Sequence, residues 1–137
     1  MDKELVLAKL ERLRRCVERV EAKTPPSADS LKKDLDRQDI IAVNLERAIQ
    51  QCADIGMHIL SQRGEALPGS MAAVFAELCD RSFIKKETAE QLTKAVGFRN
   101  TAVHAYQKIN WEIVFSICTK NLDVFREFAA QITHALA

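Results

Sequence analysis

The chain has 137 residues, 47% of them hydrophobic and 28% charged, with only four Gly and three Pro. That length supports one domain with a single core, taken here as residues 1–137, and excludes a chain dominated by disorder or tight turns. The net charge of +1 does not advertise a nucleic-acid binder, so any such binding must rest on a local patch.

The first helix is predicted from about Lys3 to Lys23. Val6, Leu10, Leu13, Val17 and Val20 recur in steps of three and four along one face, Asp2 stands as the cap, and Pro25-Pro26 ends the run. A polar connector follows, with a short helical turn over Leu31 to Asp36. The second long helix runs from about Arg37 to Arg63 on Ile41, Leu45, Ala48, Cys52, Ile55 and Ile59, with Gly64 placed to cap its end. Ser70 caps a short helix, Met71 to Asp80, with Met71, Val74, Phe75 and Leu78 inward. A turn near Arg81 to Ile84 leads to a helix from Lys86 to Val103 carrying Ala89, Leu92, Ala95 and Val96. Asn110 caps a last helix, Trp111 to Ala135, whose apolar face holds Val114, Ile117, Phe125, Phe128, Ile132 and Leu136. Nothing alternates with a strand period, so the expected architecture is an all-α bundle of four to five helices.

No apolar run approaches the roughly 18 to 20 residues of a membrane span, and residues 1–10 lack the apolar stretch of a secretory signal. A cytoplasmic protein without membrane contact is therefore expected. Cys16, Cys52, Cys79 and Cys118 stand 36, 27 and 39 residues apart, without the short paired spacing of a zinc or redox site, and read as buried reduced thiols. From Arg81 to Lys108 six cationic side chains face two carboxylates, a local surplus of +4.

Beside the apolar seam of the second helix runs a polar series, Asn44, Arg47, Gln51, Asp54 and His58, also stepping by three and four. It reads either as a solvated edge with an Asp54–His58 pair or as the lining of a cleft or subunit interface.

The segment Gly97-Phe98-Arg99-Asn100-Thr101-Ala102-Val103-His104-Ala105-Tyr106 gathers the most distinct chemistry. A guanidinium matches phosphate oxygens with a fixed fork, and an imidazole moves protons near neutrality. Together they meet the needs of RNA transesterification, in which a ribose 2′-OH attacks the adjoining phosphate. Asn100 and His104 share a helix face, whereas Arg99 and His104 stand about 140° apart on a straight helix. Joint action requires the helix to end or bend between them, or a second subunit to supply one of the pair. The competing reading is a structural His104 bonded to Asn100 or to backbone. His134 is expected to be exposed, with Trp111 and Phe98 as packing residues.

Arg99-x4-His104-x-Tyr106, preceded by Gly97-Phe98, resembles the R-x4-H-x-Y motif of the HepT ribonuclease toxins within the HEPN superfamily. Asp39, Asn44, Leu45, Ala48, Cys52, Asp54, Ile55 and His58 resemble that family's second helix, and the similarity spans about residues 3 to 133. The resemblance implies a HEPN-type helical homodimer, with both motifs facing one cleft, that cleaves RNA (tRNA or mRNA) with no cofactor and no metal. It assigns Arg99 to the scissile phosphate, His104 to proton transfer and Asn100 to positioning. Tyr106 becomes the residue modified with AMP by a cognate MntA-type nucleotidyltransferase antitoxin, as in type VII toxin–antitoxin pairs. In that picture Asn44, Arg47, Gln51, Asp54 and His58 flank the cleft. The alternative is a non-catalytic HEPN module that presents a substrate or nucleotide to the nucleotidyltransferase.

Overall fold

The computed structural model describes residues 2–62, 64 and 66–137; Met1, and Arg63 at the expected end of the second helix, lie outside the described residues. Seven α-helical segments are present among them: α1 (Lys3–Lys23), α2 (Ala28–Lys32), α3 (Leu35–Ser61), α4 (Met71–Asp80), α5 (Lys86–His104), α6 (Trp111–Ser116) and α7 (Asp123–Ala135). The all-α reading holds, but seven segments replace the expected four to five. In the connector the expected turn over Leu31 to Asp36 is replaced by a helix that begins earlier, Ala28–Lys32, and α3 begins at Leu35, ahead of the expected Arg37. The Ser27 hydroxyl accepts from the Ser30 N–H to start α2, and Asp34 accepts from Arg37 N–H to start α3. Each cap satisfies one of the otherwise orphaned first-turn donors. The expected caps Asp2, Ser70 and Asn110 likewise accept from the first turns of α1, α4 and α6.

The other departure is a π turn, Ile117–Asn121, that joins α6 to α7 without interrupting the rod. Its wider turn advances the apolar phase by a residue. Cys118 and Leu122 therefore enter the core in place of Ile117, which is only half-buried; Leu136, expected inward, caps the C-terminal end of α7 and is half-buried as well.

The centre of the bundle is α3, which touches α1, α2, α4, α5 and α7. Such a helix must be apolar over most of its girth, and Ile41, Leu45, Ala48, Ile49, Cys52, Ile55 and Ile59 are all at most 1% exposed. Gly56 lets α4 approach: a Cβ there would stand 2.5 Å from Val74 Cγ1. Phe75 of α4 meets Phe128 of α7 edge to face, ring centres 6.5 Å apart, which joins the far side of the core. Ser82, at φ 64°, ends α4, with Phe83 N–H bonded back to Leu78 O. The start of α5 has no cap of its own; Gln131 of α7 accepts from Lys85 N–H and donates to the buried Thr88 hydroxyl.

All four cysteines are free. Cys52 and Cys118 are buried, but Cys16 and Cys79 are only half-buried. No described helix is long and apolar enough to cross a membrane.

A candidate active site between the third and fifth helices

On α3 the polar residues that escape the core form a ridge between α1 and α5. Arg99, on α5, reaches across to it and donates from Nη2 to Gln50 Oε1 at 3.1 Å; a weaker contact joins Nη1 to Asn100 Oδ1 at 3.5 Å. Both partners are neutral amides, so they orient the guanidinium without cancelling its charge. No carboxylate pairs with Arg99 among the described residues, and its buried Nε has no acceptor. A buried donor without a protein partner costs about 1–3 kcal/mol.

Gln50 is itself held in register. Its Nε2 donates to Asp54 Oδ1 at 2.9 Å, which turns Oε1 toward Arg99, and Lys9 of α1 stands 4.0 Å from the other Asp54 oxygen. Lys9, Asp54, Gln50 and Arg99 thus form one polar chain across three helices.

The fifth helix neither ends nor bends between Arg99 and His104, since α5 runs unbroken to His104. The two side chains therefore keep their separation of about 140° around the helix. Arg99 leans onto α3, whereas His104 is exposed and makes no hydrogen bond to Asn100. Gly97, Asn100 and His104 share an outward strip of α5, and a Cβ built on Gly97 meets nothing within 4 Å.

Beyond α5 the chain makes a single 3-10 turn, Tyr106–Lys108. It returns the Tyr106 phenol to α3, where the hydroxyl donates to Asp39 Oδ1 at 2.5 Å. The ring also packs edge to face on Trp111, centres 5.9 Å apart. Partial burial raises the Tyr106 pKa above its ordinary value, and the adjacent Asp39 carboxylate raises it further. The phenol is nevertheless 39% exposed. On the outer side of α5, Phe98, Lys94, Thr101 and Lys108 help line a cavity of about 630 Å³ that extends to the π turn.

The expected polar stripe divides. Asp54 joins the Arg99 chain, but it pairs with Gln50 and Lys9, not with His58: the His58 ring accepts from Asp2 N–H at 3.3 Å, which turns it to the start of α1. Asn44 is buried and returns its amide to Ile40 O. Arg47 and Gln51 face a separate concavity against α1. Trp111 and Phe98 pack as half-buried residues, and His134 is exposed. Gln50 is the residue that periodicity missed. It stands one position off the stripe, and the only local signal for it was an amide four residues before a carboxylate.

The Ribonuclease HepT-like family model matches residues 13–132. The mRNA nuclease HepT of Shewanella oneidensis is 31% identical over 125 residues, which cover 91% of this chain and 93% of that protein. A solved structure of a tri-AMPylated Shewanella oneidensis HEPN toxin in complex with MNT antitoxin superposes with TM-score 0.88 at 30% identity, covering 98% of this chain and 99% of that one. A toxin–antitoxin structure with AMP-PNP gives TM-score 0.88 at 30% identity over 96% and 98% of the two chains.

Proposed function

This chain belongs to the Ribonuclease HepT-like family, and from that premise we propose that it is the endoribonuclease toxin of a HepT/MntA-type pair, cutting RNA as a homodimer without a metal ion. The observation that carries the reading is the charge state around Arg99: a half-buried guanidinium held by two amides, with Nε unsatisfied, is prepared for an anion. In the reaction His104 takes the proton of the ribose 2′-OH and returns one to the departing 5′-oxygen. Arg99 stabilises the phosphorane between these steps. The products are a 2′,3′-cyclic phosphate and a 5′-OH end.

One protomer does not suffice, because an intact α5 separates Arg99 from His104. A second copy approaching the open strip at Gly97, Asn100 and His104 brings its own motif to the same cleft. A glycine inside a helix costs about 1 kcal/mol relative to alanine, and close approach of a partner backbone is a physical reason to keep one. Asn100 positions Arg99.

Tyr106 is the inhibitory switch in this reading. Its Oη attacks the α-phosphate of ATP held by the nucleotidyltransferase, pyrophosphate leaves, and the phenolic proton passes to Asp39, already its hydrogen-bond acceptor. The attached AMP puts an anionic phosphodiester beside a cationic cleft, where it repels and occludes RNA.

The test is cleavage of an RNA oligonucleotide by the purified full-length protein. Cutting in EDTA, abolished by a 2′-deoxy substitution at the cut site and by Arg99→Ala or His104→Ala, supports the reading. Persistence of cutting in both variants refutes it. A pure dimer that binds RNA but never cuts it without its partner identifies a presenting module instead.

A further inference from the structure

On the other flank of α3 lies a groove whose chemistry the reaction above does not use. Arg12, Arg15 and Arg19 of α1 and Arg47 of α3 line a concavity of about 290 Å³, floored by Cys16 and Gln51. The three α1 arginines fall at i, i+3 and i+7, a row about 10 Å long. Glu11 and Glu18 both bind Arg14, and only Arg15 of the four has an ion pair among the described residues, 3.6 Å from Glu11. The Gln51 Oε1 on the floor is buried without a donor. Four guanidinium groups thus converge in a chain whose net charge is only +1.

We propose that this groove is a second backbone-binding subsite for single-stranded RNA, holding phosphates that flank the one cut. The inference rests on the ribonuclease reading and extends it to the path of the strand. Arg47 precedes Gln50 by one turn of α3, and Gln50 carries Arg99, so a strand crossing the ridge meets both. Planar forks on two facing helices suit phosphate oxygens. Protein-docking surfaces are rich in aromatic anchors, and the groove contains none; its one apolar lining residue is Cys16. Such a subsite adds affinity without base preference, and its signature is salt dependence.

The test measures binding of the full-length dimer to a fluorescein-labelled RNA carrying 2′-O-methyl riboses, which binds but has no nucleophile, across a salt series. The Arg12→Gln/Arg15→Gln/Arg19→Gln variant should bind at least about tenfold more weakly. Its plot of log affinity against log salt should be shallower by roughly 0.7 per lost contact. Arg47→Gln, a single exposed substitution, should shift both readouts in the same direction by less. Arg12→Lys/Arg15→Lys/Arg19→Lys, which keeps the charges, should keep most of the salt slope. For ordinary RNA the glutamine variants should raise KM and leave kcat near wild type. Unchanged affinity and slope in both glutamine variants, with cleavage still dependent on Arg99, overturn the subsite and leave the ribonuclease reading standing. Normal RNA binding combined with a lost dimer or lost antitoxin complex also overturns it, marking the groove as a protein interface. Wild-type protein that neither binds nor cuts RNA fails the underlying reading itself.

Discussion

Replacing Gln50 with Glu changes an amide to a carboxylate with almost no change in shape, and so places a negative charge against Arg99, at the cost of the Nε2 donation to Asp54. In the native protein Oε1 accepts from Arg99 Nη2 at 3.1 Å and leaves the guanidinium its full charge. A carboxylate at the same distance attracts it by about 5 kcal/mol at an effective dielectric of 20, and partial exposure reduces the net effect to about 1–3 kcal/mol. An incoming phosphate must compete with that pairing, so cleavage under single-turnover conditions should fall about 10- to 100-fold. Thermal stability should stay level or fall, because the new pair with Arg99 is offset by the lost Gln50 Nε2 donation and by the Asp54 carboxylate one turn away. Gln50→Ala removes the orienting acceptor without adding a charge and should cost less activity. Wild-type cleavage by Gln50→Glu would refute the argument that Arg99 works by remaining unneutralised.

Tyr106 is the only tyrosine of the chain, so its ionisation can be followed by tyrosinate absorbance. With the pKa raised in the folded protein by burial and by Asp39, the signal should appear above the pH at which a free phenol ionises, and Asp39→Asn should bring it down. By linkage, the stabilisation from this hydrogen bond is complete below the ordinary phenol pKa and is lost as pH rises through the folded one. A midpoint at the ordinary value in wild type contradicts this. Two glycines should separate packing from approach. Gly56→Ala should destabilise by about 1–3 kcal/mol in urea unfolding, because its Cβ would meet Val74 and Leu78 at 2.5 and 2.8 Å. Gly97→Ala should leave the fold intact and weaken dimerisation in sedimentation experiments; an unfolded Gly97→Ala protein would contradict the open space found there.

Most of the bundle was legible because its signals are local. Asp2, Ser70 and Asn110 announce helix starts through side chains that reach only three residues, and the three- and four-step apolar series of α1 and α3 each imply one face. The Ser27 and Asp34 caps were missed because the connector carries no periodic run to frame them. The π turn was missed because it preserves an apolar pattern while shifting its phase. The site was legible as residue types and only partly as geometry. Arg99, Asn100, His104 and Tyr106 stand in one motif, but what they touch lies 49 and 67 residues away, at Gln50 and Asp39. No periodicity encodes those distances. The stripe reading set five polar residues along one side of α3 but could not tell that Asp54 turns to Gln50 while His58 turns to Asp2.

The central claim is that an arginine and a histidine from different protomers act on one phosphate, and a mixed dimer tests it most directly. Arg99→Ala and His104→Ala chains, each inactive as a homodimer, are co-expressed with different tags and purified as the heterodimer. One of its two composite sites then holds an intact pair, and about half of wild-type cleavage should return. A heterodimer as inactive as its parents would contradict the shared site.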